Sequence, residues 1–255
     1  MPSFRLLASA LFALALCGLP QGASAQSFSD TQRGDIETIV RNYLISHPEV
    51  LEEAMNELNK RQTAAEAEKH EASIVSNAQT IFNSPRGVVL GNKDGDVTFV
   101  EFFDYNCGYC KRAMADMLDL MKTDPKLKVV LKEFPVLSEG SVEAAKVAVA
   151  VHMQDPTGKK YLDFHQKLLG GRGPADKARA MAAAKDAGLD TARIEKDLSS
   201  PEVNATIQEN FKLAEAMGMN GTPSYVIGKQ VVVGAVGLEG LKEKIGIARC
   251  GKVTC

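Results

Sequence analysis

The sequence predicts an α/β fold in which a β-α-β unit and a β-β-α unit are separated by a block of helices, with a helical arm in front. Three observations predict it. VTFVEFF (Val97–Phe103) and KVVLKEF (Lys128–Phe134) are nearly all-apolar runs rich in β-branched and aromatic residues, the pattern of strands buried on both faces. The segment between them, from about Cys107 to Lys122, reads as a helix and makes a parallel strand–helix–strand unit. GTPSYVIG and VVVGAV, joined through Gly228-Lys229-Gln230, read as a hairpin, followed by a last helix over about Leu238–Ile247.

Taken in order, the chain opens on a leader. Arg5 precedes the uncharged run Leu6–Leu19, and Ala23-Ser24-Ala25 is a small-x-small cleavage site, so residues 1–25 are expected to be a signal peptide cut after Ala25. As a helix the run would span only ~21 Å, short of a ~30 Å hydrocarbon core, which makes an anchor the weaker reading. An exported chain then keeps Cys107, Cys110, Cys250 and Cys255 and loses Cys17. An even count in an exported protein suggests two disulfides.

Residues 26–82 form the expected arm. Ile36, Val40, Tyr43 and Leu44 share one helical face, and Val50, Leu51, Ala54, Met55 and Leu58 continue it beyond a break at Ser46-His47-Pro48. From Asn59 to Ala72 the arm turns charged and Ala-rich, which reads as a solvated helix or linker. The narrow stripe needs a partner to cover it, so homo-oligomerisation through the arm is expected. Residues 83–255 form the main domain. Asn83–Gly87 and Gly91–Gly95 are loops around a short strand at Val88–Leu90. Four helical segments fill an insertion over about 138–218. A βαβ unit, an insertion and a ββα unit make a thioredoxin-type core.

Composition narrows the function. The chain has 255 residues, 45% of them hydrophobic and 24% charged, with a net charge of −2. No strongly basic face is implied, so no nucleic-acid partner is expected. The chemistry concentrates at Cys107-Gly108-Tyr109-Cys110, where a buried strand gives way to a helix. The helix N-terminus stabilises a thiolate at Cys107. Cys110 lies one turn deeper on the same face, placed to attack a mixed disulfide held by Cys107. Gly108 admits a protein substrate and Tyr109 is placed to cover the inner sulfur. A zinc site would need a second ligand pair, and the four His show no ligand spacing, so neither a metal nor a cofactor is expected. Thr222-Pro223 opens a strand where a cis-proline would sit beside the cysteines. Glu101, inside an apolar strand, is costly to bury without a role. A proton relay to Cys110 is one, with Lys132 or Glu133 as cluster mates; an edge-facing or salt-bridged Glu is the plainer alternative. Cys250 and Cys255, closing CGKVTC, read as a small structural disulfide, the alternative being a second redox or metal-binding pair.

VEFFDYNCGYCKR, then LKEFPV, a helical block and GTPSYVIG, resemble the DsbA family of bacterial periplasmic thiol–disulfide oxidoreductases over roughly residues 85–248. The resemblance implies a nucleophilic Cys107, a resolving Cys110, Thr222 with cis-Pro223 opposite them, and Glu101 as the buried acid. It also implies periplasmic localisation, exported proteins as substrates and a membrane redox partner. The arm, IVRNYLISHPEVLEEAMNEL, is similar to that of DsbA-like proteins of the ScsC (copper-sensitivity-suppressor) type. Gly-Tyr between the cysteines and Thr before the proline resemble isomerases instead of the oxidases, which leans the expectation toward isomerase or reductase action. On that resemblance Thr222→Val should move the site toward oxidation. Two alternatives are a DsbA-type dithiol oxidase and a copper-binding protein using the same Cys pair.

Overall fold

The computed structural model describes residues 28–255. The expected leader, its cleavage site after Ala25 and Cys17 lie outside the described residues. The chain divides into two compact units, one ending at Leu58 and one running Asn59–Cys255.

In the first unit, helix α1 (Asp30–Ser46) starts at a capping box. Ser29 Oγ accepts from the Gln32 N–H at 3.3 Å, and Gln32 Oε1 accepts from the Ser29 N–H at 2.9 Å. The helix ends at the Ser46-His47-Pro48 break, and α2 (Glu49–Asn83) begins immediately after Pro48. α1 buries no residue. Ile36, Val40 and Tyr43 of α1, and Leu51, Met55 and Leu58 of α2, are exposed.

The charged, Ala-rich stretch beyond Asn59 continues α2 as helix. Its last turns bury Ile74 and Ile81 in a cluster with Val100, Phe102 and Val130 of the sheet. These two side chains tie the C-terminal turns of α2 to the sheet, so the docked part of the helix starts before residue 82, the expected end of the arm.

The sheet has the order β1-β3-β2-β4-β5, with β1 at Val88–Gly91, β2 at Val97–Phe103, β3 at Leu127–Glu133, β4 at Ser224–Ile227 and β5 at Gln230–Val233. β2 and β3 pair in parallel from Val97↔Leu127 to Phe103↔Glu133, joined by helix α3 (Gly108–Thr123); the other pairs are antiparallel. Both faces of β2 are covered, which is why its sequence lacks polar alternation. Phe99 and Phe103 join a cluster with Met117 and Leu120 of α3 and with Leu241 and Ile245 of the last helix, α9 (Gly237–Cys250). Val100 and Phe102 point the other way, toward Ile74 and Ile81.

The insertion is α4 (Glu139–Gln154), α5 (Lys159–Gly170), α6 (Lys177–Asp186), α7 (Thr191–Asp197) and α8 (Pro201–Ala216). α4 sits at its centre, and the small side chains of Ala144, Ala145, Ala148 and Ala150 are buried where its neighbours pack close. α5 starts at Gly158, with φ +76°, where a Cβ would meet the Val89 carbonyl oxygen at 2.7 Å. Only glycine fits there, and it seats the insertion against β1. α8 is held by Arg86, which donates to Glu202 and Glu209, each at 2.8 Å. Among the described residues no helix is long and apolar enough to cross a membrane.

Candidate active site

Strand β2 delivers the site and α3 receives it. Asp104, at the end of β2, accepts from the N–H groups of Asn106, Val136 and Leu137 at 2.7, 2.9 and 3.0 Å, and its own carbonyl accepts from the Cys107 N–H. This turn sets Cys107 as the N-cap of α3, with its sulfur where a capping oxygen would stand. The Cys110 N–H donates to Cys107 Sγ at 3.3 Å.

Against the expectation of two disulfides, Cys107 and Cys110 are both free thiols here, as an exchange pair is in its reduced form, and they differ in environment. Cys107 is 6% exposed and Cys110 is 0% exposed. The hydrogen bond from the Cys110 thiol pulls the Cys107 pKa down to about 5, against the opposing effect of burial. The Thr222 side chain and the backbone N–H groups of Cys110 and Tyr109 lower it further. The same hydrogen bond, with burial, pushes the Cys110 thiol far up. The site therefore pairs one readily ionised sulfur, slightly exposed, with one protonated sulfur fully buried behind it.

The Thr222–Pro223 peptide is cis. It brings the Thr222 carbonyl oxygen to 3.2 Å from Cys107 Sγ. The Thr222 hydroxyl is buried beside Cys107 and is bonded to no other group among the described residues, so it is free to donate to the Cys107 sulfur once that sulfur is ionised. Glu101 is 3% exposed on the same face of β2 as Phe99 and Phe103, opposite Tyr225 of β4. Desolvation first, then the charges of Cys107 and Asp116, raises its pKa to about 8. Its charge in turn raises the pKa of Cys110, so the two groups are electrostatically linked.

Three expectations change. Tyr109 does not cover Cys110: its ring is 60% exposed and lies 4.4 Å under the Arg112 guanidinium. Lys132 is no cluster mate of Glu101, because it lies one residue out of phase, on the opposite face of the sheet. There its buried ammonium stands 3.8 Å from Glu209. Glu133 is in phase with Glu101 but belongs to a separate buried cluster, accepting from Tyr161 at 2.6 Å and Tyr105 at 3.5 Å, with His165 3.3 Å from the Tyr105 hydroxyl. Burial raises the Glu133 pKa well above the ordinary carboxylate range and lowers that of His165 to about 3.

Sequence reasoning missed Asn106. Its amide donates to Ser141 and to the Ala175 carbonyl, each at 2.9 Å, and accepts from the Ala175 N–H at 2.6 Å. It ties the residue before Cys107 to the insertion. A polar residue in a strand–helix turn carries no signal of a partner 69 positions away. Cys250 and Cys255 are joined as a disulfide with a Cα–Cα distance of 6.2 Å. The tail folds back through Gly251 at φ +75° and packs so closely on α9 that a Cβ on Gly246 would meet the Val253 carbonyl oxygen at 2.5 Å. Among the described residues no group of three or more His, Cys, Asp or Glu is placed to hold a metal ion.

A thioredoxin fold carrying an ionised, N-capping cysteine and a buried partner thiol defines a dithiol exchange site. Residues 98–246 match the DSBA-like thioredoxin domain, and residues 32–65 match the N-terminal domain of the copper resistance protein ScsC. The chain belongs to the DsbA-like thioredoxin family of thiol–disulfide oxidoreductases. A thioredoxin-like oxidoreductase from Silicibacter pomeroyi is 43% identical, covering 67% of this chain and 96% of its own, with a TM-score of 0.64. A linker-deletion mutant of Proteus mirabilis ScsC is 28% identical over 88% of this chain and 98% of its own, with a TM-score of 0.65. The thiol:disulfide interchange protein DsbA of Bordetella pertussis is 26% identical over 56% of this chain and 68% of its own. The chain spans only 22% and 25% of the length of two Na(+)/H(+) antiporter NhaA relatives, from Herminiimonas arsenicoxydans and Salinispora arenicola.

Proposed function

We propose that this chain is an exported, periplasmic thiol–disulfide oxidoreductase that exchanges disulfides with exported proteins and acts chiefly as an isomerase or reductase. The pairing of an ionised Cys107 with a protonated, buried Cys110 carries the reading. The Cys107 thiolate attacks a substrate disulfide; one S–S bond breaks, a mixed disulfide forms, and a substrate thiolate leaves. In isomerisation that thiolate, or another, attacks the mixed disulfide and frees Cys107 with no net change in oxidation. In reduction Cys110 loses its proton and attacks Cys107 Sγ. The Cys107–Cys110 disulfide then forms, and the substrate leaves with two more electrons than it brought.

Glu101 is the proton acceptor for that second step. The Cys107 charge is one of the groups that raises the Glu101 pKa. Forming the mixed disulfide removes that charge, so Glu101 becomes a stronger acid and more of it is carboxylate when Cys110 must ionise. Thr222 and Pro223 present backbone to an extended substrate, and Cys250–Cys255 is a structural clasp on the tail.

The lean toward isomerisation rests on the Gly-Tyr dipeptide, on Thr222 and on the arm. The exposed stripe from Ile36 to Leu58 is proposed to join subunits, each buried large side chain contributing roughly 1.5–3 kcal/mol. An oligomer sets several thiolates around one substrate and hinders docking by a membrane oxidase, the proposed redox partner. Reactivation of scrambled ribonuclease, compared with oxidation of reduced ribonuclease, tests the direction. Faster oxidation than reactivation would assign the chain to the dithiol oxidases. A second reading, copper binding by the same two thiols, draws on the match of residues 32–65 to the ScsC N-terminal domain. Titrating the reduced protein with Cu(I) separates it from exchange activity.

A further inference from the structure

A groove of about 510 Å³ runs from Cys107 along the loop that follows α5. Leu168 and Leu169 form its floor, and Lys111 and Arg172 are its charged groups; none of its lining residues is Asp or Glu. The chain as a whole carries −2, so this positive wall runs against its average. Its geometry is held from behind. The Lys111 ammonium donates to the Gly171 carbonyl at 2.7 Å, and the Arg179 guanidinium donates to the carbonyls of Gly173 and Pro174. A Cβ on Gly171 would meet the Arg179 guanidinium at 2.2 Å, so a side chain there would have to displace that cation from the loop. Arg172 is left exposed at the turn, with no ion pair or hydrogen bond among the described residues. Arg112, in the second turn of α3, is stacked on the Tyr109 ring and is not part of the groove.

We propose that this groove is a specificity site that favours substrate segments carrying Asp or Glu next to the reacting cysteine. The inference rests on the exchange reaction proposed above. Cys107 is itself part of the groove lining, so a carboxylate flanking a cysteine joined to Cys107 Sγ comes within reach of Lys111 and Arg172. The cations are not needed to make the thiolate, which Cys110 and Thr222 already stabilise.

The test uses the reduced, processed chain and three peptides identical but for the residues around one cysteine: Glu, Ser or Lys. Each cysteine carries a 2-thiopyridyl disulfide whose release is followed by absorbance. Two cations within several ångströms of an exposed charge should give the Glu peptide a roughly tenfold faster reaction than the Lys peptide at low salt. The ratio should shrink toward one in high salt. Arg172→Glu should bring it near one or invert it, and Lys111→Gln should reduce it. The net negative charge of the chain favours the Lys peptide, so a Glu preference reports the groove. Equal rates for all three peptides, or a ratio unmoved by both substitutions, would overturn the inference and leave the exchange reaction standing. No release from the Ser peptide would overturn the exchange reaction and this inference with it.

Discussion

A cysteine whose pKa is held near 5 is almost fully ionised at neutral pH, and one whose pKa is pushed far up is not ionised at all. Iodoacetamide should therefore modify Cys107 alone, with a rate that rises through a midpoint near pH 5; mass mapping of the alkylated peptide checks the assignment. Thr222→Val should raise the Cys107 pKa, because it removes a stabilising hydroxyl and leaves the carbonyl. One hydrogen bond is worth about 1 kcal/mol, roughly a fivefold change in the ionisation constant, so alkylation at the original midpoint should slow about threefold. This runs against the expectation drawn from resemblance, since a weaker thiolate makes a less oxidising site. Glu101 gives a stability prediction with a definite sign. Its folded pKa of about 8 lies above the ordinary 4.5, so folding takes up a proton between those values. The protein accordingly loses stability as pH rises from about 4.5 to about 8, with no further loss above. Glu101→Gln should raise Tm more at pH 8 than at pH 4, and should slow release of the mixed disulfide by about 100-fold or more. A Tm gain of equal size at both pH values would show that Glu101 is not held neutral by burial.

Elements were legible to the degree that their signal was local. The apolar runs at Val97–Phe103 and Lys128–Phe134 state two-sided burial in their own letters, and both are strands covered on both faces. The start of α3 was legible from Cys107 because strand end, turn and helix follow one another directly. The continuation of α2 through Asn59–Ala72 was not fully legible. Its helical residues are polar, and the two that dock it, Ile74 and Ile81, come after the stretch in question. The phase of β3 was the other limit. Lys132 and Glu133 are adjacent in sequence and lie on opposite faces, which only the register with β2 decides. Lys132 shows the cost of that placement. Its ammonium is fully buried without a hydrogen-bond partner among the described residues, and desolvation lowers its pKa to about 8. An amine with a folded pKa below its ordinary 10.5 carries its full penalty below pH 8 and loses it as pH rises toward 10.5. Because Glu209 keeps its closer ion pair with Arg86 at 2.8 Å, Lys132→Met should stabilise the protein at pH 7 and do so less at pH 10, as read by urea denaturation.

At the scale of the molecule, the proposed chemistry and the proposed assembly fall in different compact units. The exchange site lies wholly within Asn59–Cys255, and the exposed stripe ends with the first unit at Leu58. A deletion meant to remove the arm should therefore stop at Leu58, because a cut at residue 80 would take Ile74 from the core. The chain lacking residues 27–58 should be a folded monomer by light scattering, with Cys107 still reactive and scrambled-ribonuclease reactivation reduced severalfold. If the longer chain is itself a monomer at tens of micromolar, the assembly proposal fails and the exchange site is untouched. The central claim is that Cys107 attacks and Cys110 resolves. Cys110→Ser keeps the N-capping sulfur and removes the thiol that would release the substrate. Incubated with a disulfide-bonded protein and analysed by mass spectrometry, this variant should accumulate a covalent adduct whose single linkage maps to Cys107. The account would be contradicted by a Cys110→Ser variant that forms no adduct, or by a Cys107→Ser variant that traps substrate through Cys110.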